Sequence, residues 1–337
     1  MKGLRKDFQF RTTTNLFSRL LVIAKSGRDL DLQQAISEYE FCAINAMLME
    51  PNGTLHTCKS KSDLMHELES LDEAHAHEMP SPLSKRYLII DGMVVVQLLM
   101  SVKNFSTCKD LGNEFVDYID SLLRKYHYTG GRVIFDNYDK VLPLKSDIRY
   151  QSCTAAEVEI LVQDTTPITS KSAFLSSNKT KDKLTIYLAD KVVRCSKHPV
   201  VAATRQAVKT NNTENPPTTP VSSQEEADTL MILHGIEVAA TLGNKVDFFT
   251  QDTDVFILTL KRLPQLGNDT GIVTGTVETR RRVALLPIHK ELGPERSAGL
   301  PGFHSLTGCD ITGISLVLAR RQHLRRLGNH RLMLYRL

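Results

Sequence analysis

The chain lacks any apolar run near the roughly 20 residues that a membrane-spanning helix requires. The longest candidate, Met93 to Met100, is short and interrupted by Gln97. The first ten residues, MKGLRKDFQF, scatter charge through the segment and lack the apolar core of a secretory signal. None of the six cysteines (Cys42, Cys58, Cys108, Cys153, Cys195 and Cys309) sits in a CxxC pair, and no Cys/His cluster has zinc spacing. Reduced thiols in an intracellular protein are expected instead of a disulfide framework. No basic cluster forms a clear nuclear signal, and the nucleus is favoured only slightly over the cytoplasm. There is also no internal repeat.

What is present is ordinary globular material. The 337 residues are 41% hydrophobic and 24% charged, enough for one large α/β domain or two modest ones. The net charge of +4 is uneven: from Lys261 onward there are 13 Lys+Arg against 5 Asp+Glu. Arg280-Arg281-Arg282, Arg320-Arg321 and Arg325-Arg326 concentrate it. A basic segment beside an acidic site suits a polyanionic partner; on its own it equally describes a solvated helix face.

Residues 1–80 read as a helical N-terminal extension without a chemical motif. Its helices are expected at Leu16–Ile23, Asp31–Tyr39 and Lys61–Leu71, with a turn at Pro51-Asn52-Gly53. From residue 85 the pattern changes. Tyr87-Leu88-Ile89-Ile90 is a short continuous apolar run ending in Asp91, as a buried parallel strand reads. Helical spacing over Met93–Met100 and Asn113–Tyr126 precedes a second such run, Arg132-Val133-Ile134-Phe135, which ends in Asp136. This is a βαβ unit.

Residues 140–222 read as a lysine-bearing insertion between core elements. It holds one strand or helix at Leu184–Val193 and is flexible around 209–222, where the sequence is low in complexity. A helix-start signal at Ser223–Glu226, a helix over Ala227–Leu242 and a strand at Val246–Thr250 follow. That strand leads into Asp252-Thr253-Asp254. A hairpin or edge pair is expected over Gly271–Pro287, a turn at Leu300-Pro301-Gly302 and a short helix at Phe303–Thr307. Residues 316–337 form a basic, helix-like tract that ends as a truncated segment would.

The acids carry the chemistry. Three apolar strands each lead into an aspartate: Asp91, Asp136 and Asp252. In an open parallel sheet, ligands bind outside the carboxyl ends of the strands, so these three converge from distant parts of the chain. Several carboxylates buried together require cations, and hard oxygen donors select Mg²⁺ or Mn²⁺ over zinc. Glu226 and Asp228 lie in the first turn of a helix, where acids also serve simply as dipole partners. Asp252 and Asp254, two apart on an extended segment, can share one metal. A lone D-x-D also occurs in dehalogenase-type phosphatases and glycosyltransferases, but the former require threonine where this chain has Phe256. Asp310 follows Gly308-Cys309, where glycine permits a tight bend.

In order, the segments YLIIDG, VIFDN, QEEAD, FFTQDTDV and LTGCD resemble the motifs of flap-endonuclease-type 5′ nucleases within the PIN-like superfamily. The resemblance spans about residues 85–315. The strings PGFHSLTGCDITG and QEEADTLMILHG are most similar to uncharacterised animal PIN-like proteins of mobile-element character. The resemblance implies an α/β fold with a central parallel sheet flanked by helices. It also implies a two-ion centre using Mg²⁺ or Mn²⁺, and nucleic acid, DNA or RNA, as partner. Asp91, Asp136, Glu226 and Asp228 would favour one ion, and Asp252, Asp254 and Asp310 the other. Lys145, and less strongly Arg149, stand where that family places the cations that steady the scissile phosphate. The 140–222 tract falls where the family has its arch.

The departures are a long leader of 86 residues before the first strand and no G-x-G turn in Ile311-Thr312-Gly313-Ile314-Ser315 for gripping duplex DNA. His304 reads as structural, and no nucleophile–base pair is present. A non-cleaving, domesticated PIN-like binding module is the alternative. A transposase-type RNase H fold is disfavoured, because it would begin with an antiparallel hairpin.

Overall fold

The computed structural model describes residues 62–71, 85–138, 159–214, 216–219, 221, 227–243, 245–276 and 278–308. The chain divides into two compact units, Leu64–Phe303 and the combined segments Met1–Asp63 and His304–Leu337. The sheet and the candidate site belong to the first.

The strands are β1 (Arg86–Asp91), β2 (Gly130–Ile134), β3 (Val200–Ala203), β4 (Val208–Thr210), β5 (Lys245–Phe249), β6 (Gly271–Thr274) and β7 (Arg281–Ala284). They form one seven-stranded sheet in the order β4-β3-β2-β1-β5-β6-β7. The five inner strands are mutually parallel, and β4 and β7 close the two edges antiparallel. The inner strands are mostly apolar because helices cover both faces, and the charges they carry inside, Arg132 in β2 and Asp247 in β5, are buried and paired.

From β1 the chain builds outward through β2 and β3. It then returns to the other side of β1 with β5 and builds outward again through β6. The strand order therefore reverses between β1 and β5, the position at which open α/β sheets bind ligands beyond the strands' carboxyl ends. Register places Ile90 beside Phe249 and Asp91 beside Ile134, so these strands end almost level.

Side chains alternate between the two faces. Leu88, Ile90, Val133, Phe135 and Phe249 pack into one core with Met93, Val96, Phe115, Ile119, Leu184 and Leu188. These come from the helices Gly92–Val102 (α2), Cys108–Lys125 (α3) and Asn178–Cys195 (α5). On the other face Phe248 meets helix Ala227–Leu242 (α6) so closely that a Cβ on Gly235 would lie 2.5 Å from its ring. Before α2 lies helix Ser62–Glu69 (α1), and a four-residue turn of helix, Lys171–Phe174 (α4), precedes α5. The remaining helices are Thr253–Leu266 (α7), Leu285–Leu292 (α8) and Pro294–Gly308 (α9).

The described helices agree with the sequence pattern at Ser62–Glu69, Gly92–Val102 and Ala227–Leu242, and the edge pair expected over 271–287 is β6 with β7. Helix α3 begins earlier than its apolar spacing implies, because Thr107 and Asp110 form a capping box that satisfies the first-turn amides. The stretch Leu184–Val193 is helix.

Two expectations are corrected. The tract 140–222 does more than interrupt the core, since its second half supplies α5 and the sheet strands β3 and β4. After β4 (Val208–Thr210) the described residues Thr218 and Thr219 bond to α6: Glu237 accepts the backbone N–H of Thr218 at 2.7 Å and of Thr219 at 3.1 Å. A paired carboxylate accounts for this anchoring, because Glu237 is itself held by Arg132 from β2 at 2.7 Å. The turn expected at 300–302 lies inside α9, with Pro301 within the helix. The N-terminal helices expected over 16–39 lie outside the described residues, as does the tract 316–337.

A buried ionic cluster marks the opposite, amino-terminal end of the sheet. Asp247 is fully buried and accepts from Arg86 at 2.9 Å, from Arg282 at 3.0 Å and from the Tyr128 hydroxyl at 3.0 Å. Charges removed from water persist only when paired and hydrogen-bonded in this way.

Candidate metal centre

Five of the seven expected ligands, Asp91, Asp136, Asp228, Asp252 and Asp254, are described, and all stand at the carboxyl end of the sheet or at helix starts facing it. Glu226, Asp310, Lys145 and Arg149 lie outside the described residues.

Asp91 closes β1 and caps α2. Its Oδ1 accepts the backbone N–H of Met93 at 2.9 Å and of Val94 at 3.1 Å. Among the described residues its Oδ2 has no hydrogen-bond partner and remains available as an acceptor. Burial raises its pKa to about 7, and the neighbouring carboxylates of Asp136 and Asp252 push in the same direction against the two backbone bonds. Asp91 thus senses an acid from the strand on each side.

Asp136 follows β2 and ties two elements together. Its Oδ1 accepts the N–H of Ala227, the first residue of α6, at 2.8 Å, and its Oδ2 accepts the hydroxyl of Tyr138 at 2.8 Å. Asp228 is the next residue along that helix. Past β5, Asp252 caps α7 by accepting the N–H of Asp254 at 2.9 Å, while its own N–H donates to Thr250 Oγ1 at 3.0 Å. The D-x-D is therefore the first turn of a helix and not an extended segment. The capping preference of aspartate, with a second acid favoured in the first turn, accounts for the difference.

This arrangement still brings Asp252 and Asp254 together and adds a third acid. Ligand oxygens of Asp228, Asp252 and Asp254 lie within 4.8 Å of one another, and all three residues are half-buried. Asp228 thus groups with the D-x-D pair, across the division between two ions that the resemblance implied. A site of carboxylate oxygens alone, with no imidazole or thiolate among them, fits a hard divalent cation. Opposite ligands of Mg²⁺ are about 4.2 Å apart, so small side-chain rotations suffice to close these three around one ion.

Cations around the site are unevenly committed. Lys179 and Lys183 of α5 pair with Glu159, while Lys181 lies 5.5 Å from the ring centre of Tyr138, the residue bonded to Asp136. In the basic run on the edge strand, Arg281 pairs with Glu69 at 2.9 Å and Arg282 belongs to the buried Asp247 cluster. Two of those three arginines hold the fold together and do not face a partner. His304 is buried, as a structural histidine would be. Tyr138 and Thr250 were not legible as site residues, because a tyrosine two places after an acid and a threonine before Gln-Asp follow no recurrent pattern.

No protein-family model matches the chain, and no curated protein matches it. Among solved structures it is similar to the T5 D15 protein co-crystallised with metal ions, at 14% identity and a TM-score of 0.43 over 73% of this chain and 76% of that one. It is also similar to a pseudo-enzyme–product complex of the bacteriophage T5 D15 flap endonuclease with DNA and metal ions, at 14% identity and a TM-score of 0.42 over 73% of this chain and 76% of that one. A T5 5′-exonuclease mutant matches at 13% identity and a TM-score of 0.38, covering 73% of this chain and 74% of that one. The α/β assignment rests on the chain's own sheet, and the site on its own acids.

Proposed function

We propose that this chain is a PIN-like, flap-endonuclease-like nuclease that hydrolyses phosphodiester bonds in DNA or RNA with two Mg²⁺ or Mn²⁺ ions. The observation that carries this reading is the convergence of Asp228, Asp252 and Asp254, with a half-buried Asp91 close enough to Asp252 for their charges to interact and with its pKa raised to about 7. Five acids gathered at a topological switch point are costly to keep without cations.

Asp91, Asp136, Asp228, Asp252 and Asp254 would hold the ions, joined by Glu226 and Asp310. Bound there, such ions supply an activated water and stabilise a leaving oxygen. The protein's own contribution is orientation. Met93 and Val94 fix one oxygen of Asp91 and leave the other directed elsewhere. The Tyr138 hydroxyl and the Ala227 amide fix both oxygens of Asp136. Such outer partners set the direction and basicity of metal-binding carboxylates. Lys145 and Arg149 are assigned the steadying of the phosphate.

The test is incubation of the purified protein with labelled single-stranded, flapped and duplex DNA and RNA, with Mg²⁺ or Mn²⁺ and with chelator. Cleavage that needs the metal is expected. A folded protein that binds metal and nucleic acid yet cleaves none of these substrates would replace this reading with that of a binding module.

A further inference from the structure

We propose that Arg280 is a binding point for a nucleic-acid backbone phosphate beside the acidic centre. The inference rests on the nuclease reading above for the identity of the polyanion, and on the surroundings of Arg280 for its place. Strand β7 runs antiparallel to β6, with Arg281 opposite Thr274, the last residue of β6. Arg280 therefore lies beyond the carboxyl end of the parallel sheet, the same end that presents Asp91 and Asp252. Arg280 and Arg282 share a face of the sheet, being two residues apart. Arg282 reaches back to Asp247, whereas Arg280 lies over Phe249, the residue that ends β5 three positions before Asp252.

The side chain is held but not neutralised. Its guanidinium carbon is 4.8 Å from the ring centre of Phe249 and 5.7 Å from that of Tyr118, and its Nη2 donates to the Tyr118 hydroxyl at 2.7 Å. The two rings meet edge-on at 6.5 Å, forming an aromatic corner for the planar cation. Nε is buried without an acceptor. Among the described residues Nη1 has no hydrogen-bond partner. Among the described residues no carboxylate pairs with Arg280, while both arginines that follow it are paired.

A partly desolvated guanidinium without an anion is unfavourable, and aromatic stacking offsets only part of that. An oxyanion arriving from solvent at Nη1 completes the site. The planar, preoriented fork matches phosphate geometry, which a lysine at this position would not reproduce. A single cation held apart from the acids suits a neighbouring phosphate of the strand and not the scissile one.

The experiment measures binding of a fluorescent single-stranded oligonucleotide across a salt series, with Ca²⁺ in place of the active metal, for the parent, Arg280→Gln and Arg280→Lys. Thermal melting of each variant monitors the aromatic corner. Losing one phosphate contact lowers the slope of log affinity against log salt by about 0.7 for a single strand. Arg280→Gln is expected to lose affinity about threefold to tenfold at low salt with that change in slope. Arg280→Lys is expected to keep most of the slope but to bind more weakly than the parent.

A parent that binds while Arg280→Gln retains both its affinity and its slope overturns the role of Arg280 and leaves the nuclease reading standing. A lower melting temperature with an unchanged slope also overturns it, since that is the signature of a packing residue only. A folded parent that binds no oligonucleotide overturns both.

Discussion

Replacing Asp91 by asparagine removes one charge from the acidic cluster and keeps an oxygen able to cap α2. In the folded chain the carboxyl pKa stands at about 7, against an ordinary 3.8, because of burial and the charges of Asp136 and Asp252. Three units at about 1.36 kcal/mol each give about 4 kcal/mol, an upper bound, because Asp91 is partly exposed and water screens it. The sign follows from linkage: a raised carboxyl pKa contributes stability that is fully present below pH about 4. That stability is lost as pH rises through about 7. The metal-free parent should therefore melt at a lower temperature at pH 8 than at pH 5, and Asp91→Asn should show less of this drop.

With chelator at pH 8, Asp91→Asn should be the more stable protein, by about 2 kcal/mol after screening, or about 4–8 °C for a unit of this size. Adding Mn²⁺ should raise the parent strongly and reverse the order. Thermal unfolding at the two pH values, with chelator and with Mn²⁺, reads all four states. If Asp91→Asn is less stable than the parent at pH 8 without metal, and equally sensitive to pH, then Asp91 is an ordinary capping residue and the reasoning fails.

Other perturbations probe separate parts of the account. Metal affinity should fall below pH about 7 as Asp91 takes up its proton, which isothermal titration with Mn²⁺ at pH 6 and pH 8 would detect. Tyr138→Phe removes the hydroxyl that donates to Asp136 at 2.8 Å and should weaken metal binding about tenfold with little change in melting. Gly92→Ala should destabilise by about 1–3 kcal/mol, because its Cβ would lie 2.3 Å from the Phe135 ring; a melt unchanged from the parent would show that the ring yields freely. Thr107→Ala removes a capping box and should cost about 1 kcal/mol, read as a lower denaturant midpoint.

Much of this architecture was legible because three strands are short, mostly apolar and lead into acids. Tyr87–Ile90 and Val246–Phe249 could be read as buried parallel strands without reference to each other. Their adjacency could not, because neighbours in a doubly wound sheet are fixed by crossovers and not by local pattern. The same limit hid the roles of β3 and β4. Val200–Ala203 is only four residues long and lies among polar sequence, and its core character comes from pairing with β2. At the site, residue type and order pointed to the acids, whereas the grouping of Asp228 with Asp252 and Asp254 depends on how two helix starts face each other. The arginine run shows the weakness of charge as a signal. Three adjacent residues take three different roles because strand alternation and the ionic partners, not the sequence, decide where each one points.

The central claim is that these acids hold divalent ions in order to cleave a phosphodiester bond. Its most direct test pairs Mn²⁺ binding, followed by electron paramagnetic resonance, with cleavage of a labelled flapped oligonucleotide, for the parent and Asp252→Asn. The account predicts that the parent binds Mn²⁺ and cleaves, and that Asp252→Asn, still folded, loses both together. Undiminished Mn²⁺ binding and cleavage in Asp252→Asn would contradict it.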